Sequence, residues 1–161
     1  MLPLPARRVG LSRFLAQSKG HFRVGSRISW RTMELFNELR EMKILLIDDD
    51  EWIRDSMRLF FEAEGCHLTV LETAEEGLEA LKKQDFDIII TDYRLPGMDG
   101  LDFFKRIQDS HSRSIKILIT AYGNHEVVAA ASKLGVQDFI EKPFTSDIIE
   151  SALFSLIKAR K

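Results

Sequence analysis

The sequence predicts a doubly wound α/β domain, a five-stranded parallel sheet with helices on both faces. From Lys43 onward, short β-branched runs alternate with longer helical patterns. The runs are apolar at consecutive positions, as strands covered on both sides require. Five such strand and helix units within about 120 residues leave few arrangements that obey the right-handed crossover rule.

Each element has its own warrant. "KILLI" is the first strand, and Glu51 to Glu64 a helix with Ile53, Met57, Phe60 and Phe61 on one side. "HLTVLE" is the second strand, followed by a helix from Ala74 to Gln84 that presents Leu78 and Leu81. The third strand, "FDIIIT", leads through "DYRLPGMDG" into a helix from Leu101 to Gln108 with Leu101, Phe104 and Ile107 inward. "IKILIT" is the fourth strand, residues 125 to 134 the next helix and "VQDFI" the fifth strand. Ser146 to Ala159 closes the chain as a helix bearing Ile149, Leu153 and Leu156.

Composition bounds the rest. A chain of 161 residues, 45% hydrophobic and 30% charged, suits one compact domain with a core. Its net charge of -2 hides an asymmetry: residues 1 to 41 carry eight basic and three acidic side chains, residues 42 to 161 fifteen and twenty-two. The division is therefore a basic, partly disordered N-terminal extension over 1–41 and a main domain over 42–161. Within the extension, "SWRTMELFNELREM" spaces Leu35, Phe36, Leu39 and Met42 as a short amphipathic helix near 30–41, with Ser29 as its cap. Such a helix either covers part of the main domain or pairs with a copy of itself.

The acidic domain lacks the positive field that binding nucleic acid requires. Its longest apolar runs are far too short to span a membrane, and the domain reads as cytoplasmic. One cysteine, Cys66, excludes an internal disulfide and reads as a small apolar filler. His21, His67, His111 and His125 are not spaced as a metal cluster.

In open parallel sheets the ligand crevice lies beyond the C-terminal ends of the strands. Asp48, Asp49, Asp50 and Glu51 follow strand one, Asp92 strand three, Thr120 and Ala121 strand four, and Lys142 and Pro143 strand five. Clustered carboxylates repel, and a hard divalent cation with oxygen ligands, Mg²⁺ above all, offsets that repulsion. The set suits phosphoryl transfer, which asks mainly for charge neutralisation and alignment. Asp92 would be the nucleophile, giving an aspartyl phosphate. Asp48 and Asp49 would hold the metal together with Asp92 and the backbone carbonyl of Arg94. Lys142 would pair with a phosphoryl oxygen, and Thr120 and the Ala121 N–H would donate to the others. Against this stands a plainer reading, in which "DDDE" merely caps the first helix of the domain.

The motifs "ILLIDDDE", "DIIITDYRLPGMDG", "ILITAYG" and "DFIEKPF" closely resemble the receiver domain of bacterial two-component response regulators. The resemblance covers residues 43 to 161, and "TAYG" is most similar to receivers of sigma-54-dependent activators. It implies a flavodoxin-like sheet of order 2-1-3-4-5 and a phosphoryl donor that is a histidine kinase or histidine phosphotransfer protein. Asp48 and Asp49 fall on the family's acidic pair, Asp92 on its phosphoacceptor, Thr120 on its switch hydroxyl, Lys142 on its lysine and Phe139 on its switch aromatic.

The family's switch implies that Thr120 moves inward on phosphorylation and Phe139 rotates from an exposed position into the space. The surface of the domain's fourth helix, fifth strand and last helix then changes, serving a downstream protein or a homodimer. A cis peptide before Pro143 and a tight "LPGM" loop at Leu95 to Met98 are expected. Arg94 and Tyr122 restrict in-line water, so that the phosphoryl group lasts minutes or longer. The domain promotes its own phosphorylation and dephosphorylation without a separate substrate.

No effector follows Lys161, so the chain reads as a stand-alone receiver, a relay intermediate or a fragment. The alternative function is a receiver-like protein-binding module that acts without phosphorylation. A haloacid-dehalogenase-like phosphatase, with Asp48 and Asp50 as its acids, fits less well because it leaves Asp92 without a role.

Overall fold

A computed structural model of the chain describes residues 29–121 and 124–161. The basic segment before Ser29 and the expectation for Tyr122 lie outside the described residues. In chain order the elements are α1 (Trp30–Leu39), β1 (Lys43–Ile47), α2 (Glu51–Ala63), β2 (His67–Leu71), α3 (Ala74–Lys83), β3 (Ile88–Asp92), α4 (Gly100–Ile107), β4 (Ile115–Ala121), α5 (His125–Lys133), β5 (Asp138–Lys142) and α6 (Ser146–Ala159). All five strands are parallel, in the order β2-β1-β3-β4-β5.

Alternation along the strands divides the interior in two. Ile44, Leu46, Ile88, Ile90, Ile117 and Ile119 face one core, shared with Phe60 and Phe61 of α2 and Ile149, Leu153 and Ile157 of α6. Leu45, Ile47, Ile89 and Leu118 face the other, shared with Leu81 of α3, Phe103 and Phe104 of α4 and Val127 and Ala131 of α5. Side-chain caps start the helices where the sequence places an oxygen. Asp50 accepts from the Trp52 N–H at 2.9 Å, Thr73 from that of Glu76 at 3.2 Å and Asp99 from that of Asp102 at 2.9 Å.

Helix α1 covers the main domain. Ser29 caps it through the Thr32 N–H, and its Leu35, Phe36 and Leu39 enter the core between α2 and α6. The Phe36 ring meets Phe60 edge-on at a centroid distance of 5.7 Å. Arg40 donates to the carbonyl of Glu64 at 2.7 Å, fastening the end of α1 to the end of α2. Cys66 is buried, and burial pushes its thiol up to about 11, as suits an inert filler.

Three details depart from the sequence-based expectation. The fifth strand runs Asp138–Lys142 rather than 136–140, because its ladder pairs Ile117 with Asp138 and Ala121 with Lys142. Val136 instead returns its N–H to the carbonyl of Ala131 in the loop. In α4 the buried stripe is Gly100, Phe103, Phe104 and Ile107, which rotates Leu101 to a half-buried flank. In α6, Ile157 rather than Leu156 completes the inward face. No helix among the described residues is long and apolar enough to cross a membrane.

Since Leu39 is fully buried, Leu39→Ala should lower stability by about 2–5 kcal/mol in urea unfolding, whereas Met33→Ala on the exposed side of α1 should change it by less than about 0.5 kcal/mol.

Candidate functional site

The C-terminal ends of β1, β3, β4 and β5 lie along one edge of the sheet, and the residues singled out from the sequence meet there. Asp92 is the last residue of β3, paired with Ile119 of β4. Lys142 is the last residue of β5. Its Nζ donates to Asp92 Oδ2 at 2.9 Å and to Asp48 Oδ1 at 3.4 Å. One ammonium therefore bridges two carboxylates contributed by residues 94 and 50 positions away.

The acidic run divides its work. Asp48 is fully buried, with Oδ1 accepting from the Asp50 N–H at 2.9 Å. Its Oδ2 is buried and accepts no hydrogen bond, although it lies 3.1 Å from the Lys142 ammonium as an ion pair. Asp49 is exposed towards the crevice, and Asp50 caps α2. The plainer reading of "DDDE" thus holds for Asp50, which caps α2, and for Glu51 in its first turn.

Asp48, Asp49 and Asp92 each offer a carboxylate oxygen, and the three lie within 4.8 Å of one another. A buried oxygen lacking a hydrogen bond, beside two further carboxylates, fits a hard cation that takes oxygen ligands. The His residues described form no such group.

Electrostatics follow from this crowding. Burial, and then the Asp92 charge, push the Asp48 carboxyl up to about 6 against the opposing pull of the Asp50 N–H and Lys142. Burial also raises Asp92, with Asp49 adding to it, while Lys142 and the Arg94 N–H draw it back. Burial disfavours the Lys142 charge, but Asp92 and Asp48 outweigh that and hold its pKa above the usual lysine value.

Thr120 is buried near the end of β4, and Ala121 ends that strand exposed. Phe139 lies opposite Leu118 in the ladder and packs half-buried against the α3, α4 and α5 core, on the face that Thr120 shares with Leu118. It starts from a half-buried position rather than the exposed one expected. Arg94 is exposed beside the crevice. The Lys142–Pro143 peptide is cis, as expected.

Sequence reasoning missed three supporting residues. Glu75 of α3 accepts the Met98 N–H at 2.9 Å and so pins the loop after Asp92, where Gly97 turns with φ of 77°. Gly100 approaches the end of β3 so closely that a Cβ there would lie 2.5 Å from the carbonyl oxygen of Asp92. Arg54 donates to the Asp48 carbonyl at 2.9 Å. Glycine after Asp99 was the only visible signal of the second; nothing local marks the other two.

This fold and this acidic edge define a doubly wound α/β domain with its site at the C-terminal ends of the strands. The sequence model of the response regulator receiver domain matches residues 44–154, and the chain belongs to that family of receivers in phosphorylation-dependent signalling. Chemotaxis protein CheY-3 of Vibrio cholerae is 36% identical over 119 residues, covering 71% of this chain and 90% of that protein. Transcriptional regulatory protein FixJ of Bradyrhizobium diazoefficiens is 34% identical over 115 residues, 71% of this chain and 56% of FixJ. The chain thus spans little more than half the length of FixJ. Among solved structures, a receiver domain protein from Clostridium thermocellum superposes with a TM-score of 0.67 at 26% identity, covering 74% of this chain and 96% of that one. NtrX from Brucella abortus does so at 0.65 and 28% identity, over 74% of this chain and 28% of NtrX.

The shift at Asp48 has a measurable consequence in metal-free protein. A carboxyl at about 6 when folded and 3.8 when unfolded gives stability that is fully present below about pH 4 and is lost as pH rises through about 6. In urea unfolding with chelator, wild type should lose about 1–2 kcal/mol relative to Asp48→Asn between about pH 5 and about pH 7.5.

Proposed function

We propose that Asp92 is the phosphoacceptor of this receiver and that its phosphoryl group comes from a phosphohistidine on a histidine kinase or phosphotransfer protein. The observation that carries this reading is the Lys142 ammonium bridging Asp92 and Asp48, whose Oδ2 is left without a hydrogen bond. The anionic Asp92 oxygen attacks phosphorus, the bond from phosphorus to the donor imidazole breaks, and the imidazole leaves with its electron pair. Lys142 exchanges its contact with the free carboxylate for one with a phosphoryl oxygen. Thr120 Oγ1 and the Ala121 N–H donate to the remaining oxygens.

Asp48, Asp49, Asp92 and the Arg94 carbonyl would hold Mg²⁺. When bound it supplies positive charge to the carboxylates and to the transferring phosphoryl oxygens. Because Asp92 is 6% exposed, attack by water is restricted, and Arg94 stands at the open side. That supports a phosphoryl group persisting for minutes or longer.

Thr120 and Phe139 share a sheet face, so movement of the hydroxyl towards a phosphoryl group opens space beside the ring. The changed surface is that of α5, β5 and α6, open to a downstream protein or a second copy because β5 is an edge strand. The setting is cytoplasmic, with residues 42–161 forming the receiver unit.

Intact mass after incubation with acetyl phosphate and Mg²⁺ tests the reading. Wild type should gain one phosphoryl group, chelator should abolish the gain, and Asp92→Ala should show none. Full labelling of Asp92→Ala would place the acceptor elsewhere, and an unlabelled wild type would favour a binding module that works without phosphorylation.

A further inference from the structure

Helices α1 and α6 lie side by side, but ion pairs join them along only part of their length. Towards their C-terminal ends Glu34 pairs with Lys158 and Glu38 with Lys161. Towards their N-terminal ends a cleft of about 230 Å³ lies between them. Pockets of about 300–1,000 Å³ take drug-sized ligands, so this one suits a smaller molecule.

The cleft combines apolar surface with charges of both signs. Leu35, which is buried, and the half-buried ring of Phe154 supply the apolar part. Asp147 and Glu150 of α6 contribute two carboxylates, and Arg31 of α1 a guanidinium 4.5 Å from the Phe154 ring centroid. Among the described residues none of these three charged groups takes part in an ion pair. The acids one and two turns beyond Arg31, by contrast, are both paired.

Glu150 is the telling member. A carboxylate in the first turn of a helix complements the dipole, and Asp147 has that place in α6. Glu150 lies one turn further on and is half-buried, where the dipole offers little. Among the described residues it accepts only a long hydrogen bond, 3.4 Å from Thr32 Oγ1. Burial, and then the Asp147 charge, raise its pKa. An ammonium between the two carboxylates would counter the second of these effects. A purely cationic ligand would also meet Arg31, and a purely anionic one would meet both acids, so the lining is complementary to a molecule that carries both charges.

We propose that the cleft between α1 and α6 binds a free amino acid with an apolar side chain. Its ammonium lies between Asp147 and Glu150, its carboxylate meets Arg31, and its side chain rests on Leu35 and Phe154. Arg31 and Leu35 precede residues 44–154, the part matched to the receiver family, so the cleft belongs to this chain's α1 rather than to the receiver unit. None of the crevice residues lines it, and binding there is independent of the acceptor at Asp92.

The test is isothermal titration of the full-length protein with L-valine, L-leucine and L-phenylalanine in turn. At least one should bind once per chain with a Kd below about 1 mM and raise the Tm by mass action. The same molecule without its carboxylate, and the same molecule without its ammonium, should each bind at least about tenfold more weakly. Glu150→Gln and Arg31→Gln should each weaken the parent amino acid about tenfold. Where urea unfolding shows one of these variants to be destabilised, Ser151→Trp, at an exposed position lining the cleft, takes its place and should abolish binding. No binding of any of the three amino acids at about 1 mM overturns the proposal. So does an amine that binds as tightly as the amino acid, which would make the cleft a site for cations, and so does wild-type affinity in the variants.

Discussion

Much of this structure depends on a single ammonium. Lys142 leaves the edge strand β5, passes over β4, and reaches Asp92 at the end of β3 and Asp48 beyond β1. Neighbouring strands lie about 4.8 Å apart, so only a long, flexible side chain carrying a point charge covers that span. The register of β5 matters for the same reason. A shift of one residue would turn Lys142 to the opposite face of the sheet. Without its charge, two buried carboxylates would face each other unpaired.

Even so, the crevice is not neutralised. Three carboxylates meet one lysine, and Asp48 keeps a buried oxygen without a hydrogen bond. A structural ion pair would be expected to satisfy its members, because an unpaired buried charge costs several kcal/mol, on the order of 3–5. An edge that keeps its acids in surplus is instead prepared for further positive charge. Burial first, and then the neighbouring acids, raise Asp48 and Asp92 in pKa, and the same acids hold the Lys142 proton in place. Two contacts support it: Glu75 holds the loop after Asp92, and Gly100 brings α4 against the carbonyl of Asp92.

Helix α1 adds to this fold rather than decorating it. Leu35, Phe36 and Leu39 are as deeply buried as the strand residues, and the helix runs parallel to α6, with Thr32 near Glu150 and Glu38 near Lys161. Placing Lys158 and Lys161 at the C-terminal end of α6 favours both the helix dipole and the acids of α1. The interior of the α2 and α6 face is thereby closed, while its outer side keeps the exposed apolar residues that the opposite face lacks.

The order of strands and helices was legible because it rests on periodicity between near neighbours in the chain. Ile88 to Ile90 read as a buried strand, and Asp50, Thr73 and Asp99 carried local capping signals. The candidate acids and the lysine were legible too, since each follows an apolar run. The finer assignments were not. Leu101 and Phe103 are both apolar, and only packing against the sheet decided which faces inward. Likewise "DDDE" gives three like residues, and the fold alone distinguishes the buried Asp48 from the exposed Asp49 and the capping Asp50.

By itself the sequence determined the class of fold, its succession of elements and the chemical types at the strand ends, because those follow from local propensity and hydrophobic pattern. The tertiary structure decided that Lys142 bridges Asp48 and Asp92, that one oxygen of Asp48 is left over, and that Glu75 and Gly100 hold the loop after Asp92. Those are relations between residues far apart in the chain, set by sheet register and by close packing that no local pattern encodes.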